Sequence, residues 1–319
     1  MMMYYFNSSR FLVLIAVVVF VAFLGVPESR ADSIGDDAMD SLVTTEWLSR
    51  HLDDPDLVVL DCTVRMVLDE DGGMQAVSGR ADYDSGHIPT AGFADLTGDL
   101  CDLDSPLKYA LPTPQQFCAA MGALGVGDDS RVVLYDGYNS VWAARVWWML
   151  RWVGFDRAAV LDGGLQAWTA EERSLSTEPA TRSAKQLTAS PRPALVADRD
   201  EVFAAIADDT VLLVDAMPEP HFKGQMALYD RPGHIPSAVN VPVMSLFDES
   251  GRFRSQDELA TLCEGDRDSR FIVYCGGGIA ASANAFVMHR LGFSDVAVYM
   301  ASLQEWAADP TNPLEVAEP

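Results

Sequence analysis

The chain has 319 residues, with 47 acidic side chains against 22 basic ones, a formal net charge of −25 and a sequence pI near 4.3. That balance excludes a nucleic-acid binder, because such a surface repels a polyanion nearly everywhere, while a small anion can still be held in a local basic pocket. An apolar fraction of 49% and a charged fraction of 22% exclude wholesale disorder, and the length suggests two domains.

In chain order, the first element is an apolar run from Phe11 to Val26 that follows Arg10 and precedes Pro27 and Ser29-Arg30-Ala31. A positive flank, a short hydrophobic stretch and small residues before a cut describe a secretory signal, residues 1–31, cleaved after Ala31. The competing reading is a retained membrane anchor, for which the run is a little short. Either way an exported, periplasmic or extracellular protein is expected, with membrane association only if this segment is retained. Export permits disulfides among Cys62, Cys101, Cys118, Cys263 and Cys275, and an odd number leaves at least one thiol unpaired within the chain. There is no CxxC or HExxH, and the five histidines are scattered, so no metal site is expected.

Beyond the leader the sequence repeats itself. Leu57–Asp61 returns as Val211–Asp215, Gly86-His87-Ile88-Pro89 as Gly233-His234-Ile235-Pro236, Arg131–Asp136 as Arg270–Cys275, and Leu165-Gln166-Ala167-Trp168 as Leu303-Gln304-Glu305-Trp306. Four matches in one order mean two copies of one domain, about 40–170 and 195–308. Residues 171–194, rich in Thr, Ser and Pro, read as a linker draped over the surface. Within each copy, valine-rich runs such as 57–60 and 132–135 predict buried strands, and the stretches 143–153 and 281–291 predict amphipathic helices. Alternation of the two implies an α/β fold with a parallel sheet, whose ligands sit beyond the carboxyl ends of the strands. Trp168 and Trp306 read as core anchors, and the tail after Asp309 as irregular.

The loop that carries chemistry follows the strand 271–274. Cys275 stands at the strand end, and Gly276-Gly277-Gly278-Ile279-Ala280 leads into a helix. Three glycines let several N–H groups turn toward the sulfur, and the helix N-terminus adds partial positive charge, a cradle for a thiolate or a longer sulfur anion. In the first copy the same position is Asp136, which cannot serve as that nucleophile, so the second copy is expected to be the catalytic one. Against this stands a buried, inert cysteine beside a tight turn.

These features together resemble the two-domain rhodanese family, the thiosulfate and 3-mercaptopyruvate sulfurtransferases. The resemblance rests on both GHIP segments, Arg145-Val146-Trp147-Trp148-Met149, Leu161-Asp162-Gly163-Gly164 and the cysteine loop. It implies two tandem rhodanese-like domains and transfer of a sulfane sulfur from a small anionic donor, through a Cys275 persulfide, to cyanide or a thiol, without metal or organic cofactor. By the same resemblance Arg145 would hold the donor anion, the backbone of Gly276, Gly277, Gly278, Ile279 and Ala280 would cradle it, and Asp61 and His87 would assist near the cleft, with structural roles as the alternative for both. Arg151, six residues along the same helix, faces elsewhere and reads as structural. The loop lacks the cations of thiosulfate enzymes and the Ser and Thr hydroxyls of mercaptopyruvate enzymes, having Gly277 and Ala280. Met217 and Met300-Ala301 replace a usual arginine and a usual Asp-Gly pair. The loop leans toward mercaptopyruvate, with thiosulfate open. A cysteine phosphatase would need arginine at position 281, where Ala281 stands; a non-enzymatic sulfur-binding module is the other alternative.

Overall fold

The computed structural model describes residues 39–69, 73–137 and 139–316; the leader and its membrane reading fall outside them. Among the described residues no helix is long and apolar enough to cross a membrane. The valine-rich runs become strands because their side chains are buried on both faces, as in a sheet covered by helices on each side.

The strands of the first half are β1 (Leu42–Val43), β2 (Leu57–Asp61), a hairpin β3 (Val64–Leu68) and β4 (Met74–Ser78), β5 (Gly92–Phe93), β6 (Arg131–Tyr135) and β7 (Ala158–Leu161). The second half has β8 (Val196–Ala197), β9 (Val211–Asp215), β10 (Val239–Asn240), β11 (Arg270–Tyr274) and β12 (Asp295–Tyr299). Two five-stranded sheets form, ordered β1-β7-β6-β2-β5 and β8-β12-β11-β9-β10, all pairs parallel. The orders correspond strand for strand, so the duplication seen in sequence is a duplication of topology. Among the described strands only the antiparallel β3–β4 hairpin lacks a counterpart.

The helices are α1 (Thr45–His51), α2 (Arg80–Ser85), α3 (Pro114–Ala123), α4 (Val141–Trp152), α5 (Gly164–Ala170), α6 (Arg199–Ala205), α7 (Glu219–Phe222), α8 (Gln256–Ala260), α9 (Ile279–Arg290) and α10 (Ser302–Trp306). Thr113 before α3 and Ser255 before α8 each close a reciprocal capping box, with Gln116 and Glu258. The equivalent helices α4 and α9 each begin two residues before the stretch expected, and neither is amphipathic. Ten of twelve residues of α4 are buried, as are nine of twelve of α9. The reason is that they pack on each other between the two sheets, with Trp147 edge-on to Phe286 at 4.8 Å, so each helix needs apolar surface nearly all round. Further bonds join the halves: Phe253 N–H donates to Asp162 Oδ1 at 2.9 Å, Arg252 pairs with Glu171 at 2.8 Å, and Arg290 with Asp40 at 3.0 Å.

The segment expected as a linker does lie along the first half, held by backbone bonds from Lys185 to Gly122, Ser190 to Val153 and Arg192 to Trp152, with Leu187 buried. Trp168 and Trp306 are both fully enclosed. The carboxyl-terminal tail is irregular but pinned, since Trp306 Nε1 donates to the Pro313 carbonyl and Glu315 bridges to His234.

Candidate functional site

The central strand of the second sheet, β11, ends at Tyr274, and Cys275 begins the turn into α9 beyond the carboxyl edge, where parallel sheets present their ligand sites. The turn is fixed from outside by its polar atoms. Cys275 N–H donates to Ser302 Oγ at 3.1 Å, Leu303 N–H to the Cys275 carbonyl at 3.0 Å, and Gln304 N–H to the Gly276 carbonyl at 3.0 Å. The Tyr229 hydroxyl also donates to the Gly276 carbonyl, at 2.8 Å. With those carbonyls engaged by α10 and Tyr229, the Gly278 N–H turns inward and lies 3.1 Å from Cys275 Sγ. Gly278 caps α9 at φ +82°, and a Cβ there would sit 2.9 Å from the Met300 carbonyl, so both conformation and space require glycine. Cys275 itself is buried, with 3% of its surface exposed.

Arg145 reaches this turn from α4 in the other half. Its Nη2 donates to the Tyr109 carbonyl at 2.8 Å, its Nη1 lies against Met300 Sδ, and Nη1 is 3.3 Å from where a Gly278 Cβ would be. The guanidinium is fully buried, and Nε has no hydrogen-bond partner. Among the described residues no carboxylate pairs with it. Burial pulls its pKa down to about 10, opposed by the Cys275 and Cys101 sulfurs, so it stays cationic at neutral pH. A buried cation without an anion is costly, and a bound anion would relieve that cost. The rim carries no charge at these points: the space above Gly276 is bounded by Leu228, the Tyr229 hydroxyl and Met217, and that above Gly277 by Tyr109 and the Gln304 amide.

The first copy displays the same cradle filled. Asp136, at the position of Cys275, accepts from the Ser140 amide at 3.1 Å and from those of Trp142 and Ala143 at 2.8 and 2.9 Å. A carboxylate occupies the helix N-terminus there, which is what a turn of this shape accommodates.

Asp61 and His87, expected to assist near the cleft, each engage neighbours within the first half and the segment that follows it. Asp61 is buried at the end of β2, where its carboxylate accepts from Thr63 N–H at 2.8 Å and from the Tyr135 hydroxyl, and burial raises its pKa. His87 stacks on Tyr83 at 3.9 Å with Nδ1 2.8 Å from the Tyr83 carbonyl and Nε2 3.0 Å from that of Glu178. Both ring nitrogens are thus engaged by backbone, and His87 bridges to Ser176. The role these contacts support is fastening the segment that leaves the first half. His234 does likewise for the tail, bridging to Glu315 with Nδ1 2.7 Å from the Phe222 carbonyl. Arg151 pairs with Asp156 at 3.0 Å on the surface side of α4.

No disulfide joins any of the five cysteines. Burial pushes the thiol pKa up at Cys62 and Cys101, and to about 11 at Cys118 and Cys263, which makes these four poor nucleophiles. Among the described residues no cluster of His, Cys, Asp or Glu is arranged to hold a metal. Tyr109, Tyr229 and Gln304 escaped the sequence reading as site residues, and only Gln304, inside the repeated Leu-Gln-x-Trp segment, carried a signal.

Comparison with known proteins agrees with this duplicated arrangement. The family model described as Rhodanese-like domain matches residues 44–171 and 198–309. The 3-mercaptopyruvate sulfurtransferase of Escherichia coli (strain K12) is 33% identical over 282 residues, covering 86% of this chain and 97% of the relative. Thiosulfate/3-mercaptopyruvate sulfurtransferase 2 of Arabidopsis thaliana is 33% identical over 317 residues, covering 90% of each chain. The crystal structure of SseA from Escherichia coli, a 3-mercaptopyruvate sulfotransferase by its description, superposes with a TM-score of 0.74 at 32% identity over 83% of this chain and 99% of that one.

Proposed function

The chain belongs to the rhodanese-like family and is a sulfurtransferase, and from that premise we propose that Cys275 is the sulfur carrier and Arg145 the anchor of an anionic donor. The Cys275 thiolate bonds to the transferable sulfur of the donor, the thiol sulfur of 3-mercaptopyruvate or the outer sulfur of thiosulfate. In 3-mercaptopyruvate the carbon–sulfur bond breaks, its electron pair passes to carbon, and protonation gives pyruvate. In thiosulfate the sulfur–sulfur bond breaks and sulfite leaves. Either way a Cys275 persulfide forms, with the Gly276–Ala280 backbone and the α9 N-terminus favouring its negative charge. An acceptor thiolate or cyanide then attacks the outer sulfur, and the electron pair of the breaking bond returns to Cys275.

The observation that carries this reading is the buried Arg145, without a carboxylate partner, beside the Cys275 turn. One cation on a rim otherwise made of uncharged groups, among them Met217, Met300 and Leu228, asks for a donor with a single compact anionic group, which favours 3-mercaptopyruvate over the dianion thiosulfate. Incubation with each donor followed by mass spectrometry tests it: a gain of about 32 Da on the Cys275 peptide, removed by cyanide, is expected. Cys275→Ser abolishes the gain, and Arg145→Ala raises the donor KM by roughly a hundredfold while changing kcat less. A persulfide on another cysteine would refute the assignment. Export through residues 11–26 belongs to the same proposal, and a secreted product whose mass begins at Asp32 is its expected sign.

A further inference from the structure

Gln304 touches both halves of the site at once. Its backbone N–H holds the Gly276 carbonyl at 3.0 Å, while its side chain crosses to the first half and pairs with one residue in both directions. Lys108 N–H donates to Gln304 Oε1 at 2.9 Å, and Gln304 Nε2 donates to the Lys108 carbonyl at 3.0 Å. The next carbonyl along the chain, that of Tyr109, is the one that accepts from Arg145 at 2.8 Å. Tyr109 sits at φ +58°, a left-handed conformation that bulky residues rarely adopt unless their surroundings hold them there. The second copy gives the equivalent position, four residues before the cap of the following helix, to Gly251 at φ +78°. There Gln166, the counterpart of Gln304, approaches Gly251. The duplicated glutamine and the left-handed turn it faces are therefore common to both copies, and the copy facing Cys275 has an aromatic residue where the other has none.

We propose that Gln304 is a positioning residue for donor capture: its amide fixes the Lys108–Tyr109 turn, so that the Tyr109 carbonyl aims the Arg145 guanidinium at the Cys275 turn. The proposal rests on the reading of Arg145 as the donor anchor. Arg145 has one carbonyl to orient it, a thioether beside it and an unpartnered Nε, so freeing that carbonyl leaves the guanidinium without a polar guide. The two halves stay joined through α4 and α9 and through Arg252 and Arg290, so loss of one amide does not part them.

The experiment is a double-mutant cycle in the full chain, with 3-mercaptopyruvate as donor and cyanide as acceptor. Gln304→Met is expected to raise the donor KM about tenfold with kcat within about twofold of the parent, and to add less than about twofold in an Arg145→Ala background. If the two effects multiply, or if Gln304→Met leaves KM unchanged, the proposal is overturned. If Arg145→Ala alone leaves KM unchanged, the donor-anchor reading itself fails, a different result from the first two. Gln304→Asn, whose amide is one methylene short of Lys108, carries the same expectations should the Met variant not fold, and thermal melting of each variant establishes which is used.

Discussion

Asp215 closes β9 with its carboxyl fully enclosed, accepting from the Met217 amide at 2.7 Å. Burial pushes its pKa from the ordinary 3.8 up to about 7, because no cation compensates the charged form. The folded state therefore binds a proton that the unfolded chain has already released between those two values. The stability tied to this group is complete below about pH 4 and is lost as pH rises through 7; Asp61, its counterpart, acts in the same direction. Asp215→Asn keeps the acceptor for Met217 without the charge, so it should stabilise the protein at pH 8 by something on the order of 3 kcal/mol and have little effect at pH 4. Melting curves at the two pH values check this, and equal effects at both would contradict it. At this scale Cys275 and Arg145, each marked in the sequence by a distinctive neighbourhood, are brought to one turn by the fold. For His87 the sequence left an assisting and a structural role open, since nothing in the segment Gly-His-Ile-Pro reveals that its ring nitrogens lie against the carbonyls of Tyr83 and Glu178, the latter 91 residues away.

The turn from β11 into α9 is the element on which the proposed chemistry depends. Its shape comes from one left-handed residue, Gly278, and from carbonyls held by α10 and Tyr229. Gly278→Ala would force a methyl to 2.9 Å from the Met300 carbonyl at φ +82°. The expected cost is roughly 1–3 kcal/mol of stability, together with a fall in the rate of persulfide formation of at least about tenfold as the N–H leaves the sulfur. Thermal melting and the time course of the 32 Da adduct measure the two effects separately. Strand and helix identities were legible here from valine runs and segment length. The all-round burial of α4 and α9 was not, because each helix is covered by the other copy's helix, a partner that periodicity within one segment does not reveal.

Across the whole molecule, a charge of −25 opposes the approach of any anionic donor to a site with one buried cation. Salt screens that repulsion, so kcat/KM should rise with ionic strength between about 10 and 200 mM, and more steeply for dianionic thiosulfate than for monoanionic 3-mercaptopyruvate. Steady-state rates across a potassium chloride series test this. A fall with salt would mean that local attraction by Arg145 outweighs the field of the surface.

The order of apolar runs, the repeated segments and the cysteine before three glycines are local patterns. They were enough to read two α/β copies and to single out a candidate nucleophile, since strand burial, helix length and turn conformation depend mainly on neighbours along the chain. The partners of the site come from far along it: Lys108 and Gln304 are 196 residues apart, and Tyr229 and Gly276 are 47. Only packing of the two copies through α4 and α9 decided that Arg145 would lie beside the Cys275 turn, bonded to the Tyr109 carbonyl and against the Met300 sulfur. Such contacts are set by the shapes of two buried surfaces against each other, which no stretch of either copy contains alone.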